Sequence, residues 1–332
     1  MLSKESISLA ETEPGLVSVL IPAYNHEQYV QETIQSIIAQ TFNRIELIII
    51  DDGSRDSTWQ KINEMKEACE ARFQRVVFQT QENAGTCITL NRLITQARGE
   101  FIYLIASDDA ALPEAIQTEY DFLSKSPAYS LAVGNSFIID ENSQRCAINA
   151  REQVVPLGEE GSFDTMADFL QSGRCDFDSS RFGSYSSLWK INHVPNGSLT
   201  RKSIFTKVLP FTPEAPLEDF YMMMQIAKFS RMKYLDVPLF CYRRHSTCTS
   251  YNVVKMSEMN QKTRNYEWKC WVRAFGLLGP FFWMWYCMPF YIRKRRREFK
   301  IRHPNFTIRK FFPTLIRKIL CLGVKNKSEN DR

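Results

Sequence analysis

Three acidic pairs stand out in this chain: Asp51-Asp52, Asp108-Asp109 and Glu218-Asp219. Adjacent carboxylates offer hard oxygen donors, and an Mg²⁺ or Mn²⁺ held by them can bridge two phosphates. Each pair taken alone also fits ordinary turn chemistry, because Asp and Gly favour tight turns. Glu218-Asp219 precedes a helix-like stretch, Phe220 to Phe229. There, acidic residues simply suit a helix N-terminus, or one carboxylate takes the proton of an attacking hydroxyl. His245, one of four histidines, follows Tyr242-Arg243-Arg244 and reads either as a structural residue or as a nitrogen ligand. No glycine-rich dinucleotide fingerprint, P-loop or nucleophile elbow is present. A phosphate-bearing ligand would therefore need a cation on carboxylates.

The elements that must position these residues alternate in type. Val17–Ile21, Ile45–Ile50, Arg75–Phe78 and Phe101–Ile105 are short apolar runs that predict strands, the first stopped by Pro22. Between them lie helical spacings: Val30, Ile34, Ile37 and Ile38; Trp59, Ile62, Met65 and Cys69; then Leu90 to Ala97. Nearly continuous apolar strands alternating with helices predict an α/β fold with a mostly parallel sheet covered on both faces. Ligands of such sheets bind beyond the carboxyl ends of the strands. The strand exits here are Pro22-Ala23-Tyr24-Asn25, Asp51-Asp52-Gly53-Ser54 and Ala106-Ser107-Asp108-Asp109. Residues 135–215 are less regular, and Ser172–Ser187 reads as a long loop.

The run Val17-Ser-Val-Leu-Ile-Pro-Ala-Tyr-Asn25, Ser36-Ile-Ile-Ala-Gln-Thr-Phe42 and Glu46-Leu-Ile-Ile-Ile-Asp-Asp-Gly-Ser54 closely resemble the family 2 glycosyltransferases. So do Glu82-Asn-Ala-Gly85, Asn91, Ala97-Arg-Gly-Glu-Phe-Ile102 and Ser107-Asp-Asp109, in family order over about residues 16–125. The likeness continues more weakly through Gly197–Phe205, Leu217-Glu-Asp219 and Tyr242-Arg-Arg-His245, and the last 80 residues fall outside it.

The resemblance implies a GT-A fold and inverting transfer of a hexosyl or N-acetylhexosaminyl group from a UDP- or dTDP-linked donor. It implies that Pro22, Ala23, Tyr24 and Asn25 frame the nucleotide, with Tyr24 against the base. Asp52 would accept the imide N–H of the base, Gly85 would belong to the same pocket, and Asp108 would hold the sugar or ribose. Asp109 would be the direct ligand of Mg²⁺ or Mn²⁺, with His245 completing the site. The motif is Ser-Asp-Asp rather than Asp-x-Asp, so one carboxylate is missing from the first position. Asp219, rather than Glu218, would be the general base. A catalytically inactive module of the same fold and a nucleotidyltransferase are the alternatives. The second would need a basic, glycine-rich triphosphate loop near the first strand, which Pro22–Asn25 is not.

Charge divides the chain. Residues 1–254 carry 23 Lys and Arg against 32 Asp and Glu, whereas residues 255–332 carry 19 against 5. A basic rear wants an anionic partner. Ala274–Ile292 is nineteen residues without a charge, about 28 Å if helical, followed by the polybasic run Arg293–Arg297. Gly276, Gly279, Pro280 and Pro289 interrupt it, and a spanning helix would place that run on the outer side. An interfacial or re-entrant segment fits better, with the amphipathic stretch 308–320 as a second in-plane element. The opposing reading packs the aromatic stripe on the catalytic part as a lid.

The expected organisation is an N-terminal extension (1–15), a catalytic domain (16–254, divided near 125 into nucleotide-sugar and acceptor sides) and a membrane-associating tail (255–332). Nine scattered cysteines and a polar start without a leader fit a reduced compartment, hence the cytoplasmic face of the inner membrane. A lipid-linked saccharide acceptor would suit cell-surface polysaccharide synthesis. No nucleic-acid fold accompanies the basic run, so nucleic acid is not expected. The sequence does not specify an oligomeric state.

Overall fold

The computed structural model describes residues 9–275 apart from 173–176, 178–180, 190 and 249–250. Residues 276–292 of the uncharged segment 274–292, the polybasic run and the stretch 308–320 lie outside the described residues. The chain divides into two compact units, residues 1–260 and 261–332.

The first unit opens with strands β1 (Glu13–Ala23), β2 (Ile45–Asp51), β3 (Arg75–Thr80) and β4 (Gly99–Leu104). Interleaved with them are helices α1 (Val30–Ile38), α2 (Thr58–Glu64), α3 (Lys66–Arg72) and α4 (Thr86–Gln96). Every residue of β2 is buried, as its apolar run requires. The helix expected around Trp59–Cys69 is in fact two, α2 and α3, meeting at Met65. β1 runs through Pro22 rather than stopping at it. The last ladder bond on that side is Ile105 N–H to the Leu20 carbonyl, so the missing proline N–H falls where β4 has already ended.

The irregular middle is a mixed extension of the same sheet. It contains β5 (Ala110–Ala111), α5 (Ala115–Lys125), β6 (Tyr129–Ile139), β7 (Arg145–Ile148) and β8 (Val154–Val155). After these come α6 (Met166–Ser172), α7 (Tyr185–Leu188), β9 (Ser198–Arg201), α8 (Phe205–Val208), α9 (Glu218–Phe229) and β10 (Arg231–Arg243). A 23-residue helix, α10 (Val253–Phe275), follows. Among the described residues no helix is long and apolar enough to cross a membrane.

The strand order is β3-β2-β1-β4-β9-β6-β10-β5. β1 to β4 are mutually parallel, β9 is antiparallel to both β4 and β6, and β10 is parallel to β6. Two reversals restore the direction, so β10 ends on the same edge as β1, β2 and β4. The chain winds outward from β1 to β3 and then returns to β4 on the other side of β1. In open α/β sheets such a reversal marks the place where ligands bind, here the carboxyl edge between β1 and β4.

Candidate active site at the carboxyl edge of the sheet

Beyond β1 the chain turns sharply at Asn25, whose φ of 54° is left-handed, a conformation Asn tolerates. Its backbone N–H donates to Ser54 Oγ (2.9 Å) and its Oδ1 accepts from Arg55 N–H (2.8 Å), tying the exits of β1 and β2 together. Tyr24 is 41% exposed at this edge.

Asp52 is buried, and both of its oxygens are in use. Oδ1 accepts from Gln81 Nε2 (2.6 Å) and Ala84 N–H (2.8 Å), and Oδ2 accepts from Gly85 N–H (2.9 Å). The carboxylate therefore organises the 82–85 loop. Gly85 has φ 84° and open space where a Cβ would stand.

Past β4, Asp108 and Asp109 take opposite directions. Asp109 is 2% exposed, and its Oδ1 accepts from the Arg243 backbone N–H (2.9 Å). Burial pushes its carboxyl well above the ordinary range, and the neighbouring Asp108 charge adds to this. Asp108 faces outward. Burial lifts its carboxyl, but a hydrogen bond from His245 and the nearby imidazoles outweigh that, so it lies below its usual value. His245 Nε2 is 3.1 Å from Asp108 Oδ2, and His26 Nε2 is 3.6 Å from the same oxygen.

The family resemblance pairs His245 with Asp109. The structure instead groups His245 with Asp108 and His26, whose ligand atoms all lie within 4.8 Å of one another. Asp109 turns inward because the Arg243 main chain and Asn196 claim its oxygens. Two nitrogens and one carboxylate oxygen form a donor set that fits a divalent cation. Burial lowers the His26 pKa from its ordinary value; Asp108 opposes this and His245 adds to it. Arg243, fully buried, braces the turn: its Nε donates to the Asp108 carbonyl (2.6 Å) and its Nη2 to Glu32 (2.7 Å).

Glu218 and Asp219 open α9 and are half-buried. Burial, reinforced by the Asp219 charge, pushes Glu218 up to about 7. Burial also raises Asp219, against hydrogen bonds from Phe220 N–H and from Asn192 Nδ2 (3.3 Å). The field of Glu218 reaches Cys87, in the first turn of α4 beside the Asp52-held loop. The segment 192–196 touches two of the three acidic pairs, with Asn192 on Asp219 and Asn196 on Asp109. Sequence reasoning missed these two asparagines and His26. Only the position of His26 directly after a strand exit could have signalled it.

The glycosyl transferase family 2 model matches residues 18–186. The glycosyltransferase GlyG of Streptococcus pneumoniae is 29% identical over 237 residues, which are 70% of this chain and 71% of GlyG. An uncharacterised glycosyltransferase of Rickettsia conorii is 30% identical over 145 residues, 43% of this chain and 23% of that protein. Among solved structures, S. aureus TarS 1–349 with UDP-GlcNAc superposes with a TM-score of 0.51 at 18% identity, covering 74% of this chain and 66% of that one. Mannosyltransferase PcManGT of Pyrobaculum calidifontis, with GDP-Man and Mn²⁺, gives 0.54 at 16% identity, covering 77% and 65%. At these identities the structural likeness concerns the fold.

Proposed function

This chain belongs to glycosyl transferase family 2, and from that premise we propose that it is an inverting, metal-assisted enzyme moving a sugar from a UDP- or dTDP-linked donor to a saccharide acceptor. The observation that carries the proposal is the convergence of Tyr24, Asp52, Asp108 and His245 on the carboxyl edge of one sheet, at its switch point. UDP-GlcNAc on TarS and GDP-Man on PcManGT are what those neighbours bind, and they support a nucleotide sugar here.

In this reading Tyr24 stacks on the base, and the 82–85 loop held by Asp52 borders the nucleotide. Asp108 and His245 would hold a divalent cation, Mg²⁺ or Mn²⁺, which would supply charge stabilisation for a leaving diphosphate. Asp219 takes the proton of the acceptor hydroxyl as it attacks the anomeric carbon opposite the leaving group, and Asn192 orients that carboxylate. Its raised pKa brings it closer to neutral pH, where a base works best. Glu218, beside it, feels the Asp219 charge. Attack from the opposite face inverts the anomeric configuration.

The acceptor we favour is lipid-linked, in cell-surface polysaccharide synthesis. The basic, aromatic tail would hold the enzyme against anionic phospholipid on the cytoplasmic face of the membrane.

The test is a panel of nucleotide sugars offered to the purified full-length protein with Mn²⁺ and saccharide acceptors. One donor of the UDP or dTDP class should be consumed, with inverted product configuration by NMR. Asp219→Ala should lose at least about a hundredfold in transfer while retaining donor binding. Normal transfer by that variant would overturn the base assignment.

A further inference from the structure

We propose that His26 is a third protein ligand of this cation site, and that the set His26–Asp108–His245 selects a first-row transition ion over Mg²⁺. The inference rests on the metal-assisted reading above.

The three donors come from separate segments: the turn after β1, the turn after β4 and the exit of β10. His26 donates its backbone N–H to Thr58 Oγ1 (2.7 Å), which anchors its main chain. Both imidazoles are oriented in the same way. His26 Nδ1 is 2.8 Å from Ser107 Oγ, and His245 Nδ1 is 2.8 Å from Thr247 Oγ1. Each hydroxyl fixes its ring from behind, as outer partners of metal-ligating histidines do, and leaves Nε2 as the forward atom. The Tyr29 ring packs 4.7 Å from the His245 ring, and the two imidazoles meet edge to face at 5.8 Å.

A histidine–aspartate hydrogen bond accounts for His245 at 3.1 Å. It does not account for His26, whose Nε2 at 3.6 Å from the same oxygen is beyond hydrogen-bonding range. Nitrogen and oxygen ligands about 2.1 Å from one ion stand about 3 to 3.5 Å apart at right to tetrahedral angles. The two separations are close to that range. The exposure is one-sided too: the His245 side chain is 1% exposed, those of Asp108 and His26 16% and 23%, so a ligand can reach the cluster from the solvent side.

The donor chemistry sets the preference. Mg²⁺ binds through carboxylates, waters and phosphates and gains little from neutral nitrogen. Two imidazoles and one carboxylate offer it a single negative charge. Transition ions take imidazole readily.

The experiment is electron paramagnetic resonance of Mn²⁺ added to the full-length protein without nucleotide. Nitrogen hyperfine couplings count the coordinated imidazoles. The wild type should show two nitrogens, and His26→Gln and His245→Gln one each, with Mn²⁺ affinity down at least about tenfold. About a hundredfold excess of Mg²⁺ should leave most of the Mn²⁺ bound. Thermal melts of the metal-free variants should match the wild type, showing that the fold persists. A single nitrogen in the wild type, an unchanged spectrum in His26→Gln, or displacement by equimolar Mg²⁺ would overturn the assignment. Nucleotide-sugar turnover is scored separately. Two nitrogens without turnover would sink the transferase reading alone, and turnover with one nitrogen would sink only the role of His26.

Discussion

Asp219 is held between burial, which raises its pKa, and the donors Asn192 and Phe220 N–H, which lower it. Replacing Asn192 with Ala removes a donor to the charged form, so the carboxyl should hold its proton to higher pH. We expect the acidic limb of the kcat/KM profile to move toward alkaline pH in Asn192→Ala, with activity near pH 6 reduced several-fold. An unshifted limb would show that Asn192 does not tune the base. Glu218 behaves differently in its effect on stability. Its folded pKa of about 7 exceeds the ordinary Glu value, so the folded state prefers the protonated form. That preference costs nothing below the ordinary value and progressively destabilises the fold as pH climbs to about 7. Glu218→Gln should therefore raise Tm by about 2–5 °C at about pH 8 and leave it unchanged at about pH 4, read by calorimetry. The strand-exit carboxylates were legible in the sequence because position in an alternating fold gave them meaning. Their directions were not. Whether Asp108 or Asp109 faces outward depends on which one the Arg243 main chain captures 134 residues away, a tertiary fact.

At the scale of elements, the segment leading into β9 touches Asp219 and Asp109 and is tightly confined at Gly197. Gly197 has φ +72°, and a Cβ there would stand 2.1 Å from the Phe240 ring. Gly197→Ala combines a disfavoured conformation with a clash against β10, so denaturant unfolding should show a loss of about 2–4 kcal/mol. The displaced Asn196 should also release Asp109. The four parallel strands could be read directly, since runs such as Ile45–Ile50 are buried on both faces. β9 could not. Ser198-Leu-Thr-Arg201 is four residues of mixed polarity, and only pairing with β4 and β6 makes it a strand. Pro22 misled for a related reason: a proline ends a strand only if a neighbour needs its N–H.

For the whole molecule, the division of charge is the outstanding feature. An acidic front and a rear of 19 basic against 5 acidic residues predict that full-length protein co-sediments with vesicles containing anionic lipid. Binding should fall steeply as salt rises, and release of the full-length protein by carbonate washing would exclude a spanning helix. Failure to bind anionic vesicles at low salt would remove the tail from the account. For the front the proposal is narrower: the Asp108 edge of the sheet would grip a nucleotide diphosphate through a divalent cation. Calorimetric titration of UDP into wild type and Asp108→Asn, each with Mn²⁺ and again with chelator, tests this most directly. UDP binding should depend on Mn²⁺ and weaken at least about tenfold in Asp108→Asn. UDP binding equally well to both proteins, with or without the metal, would contradict it.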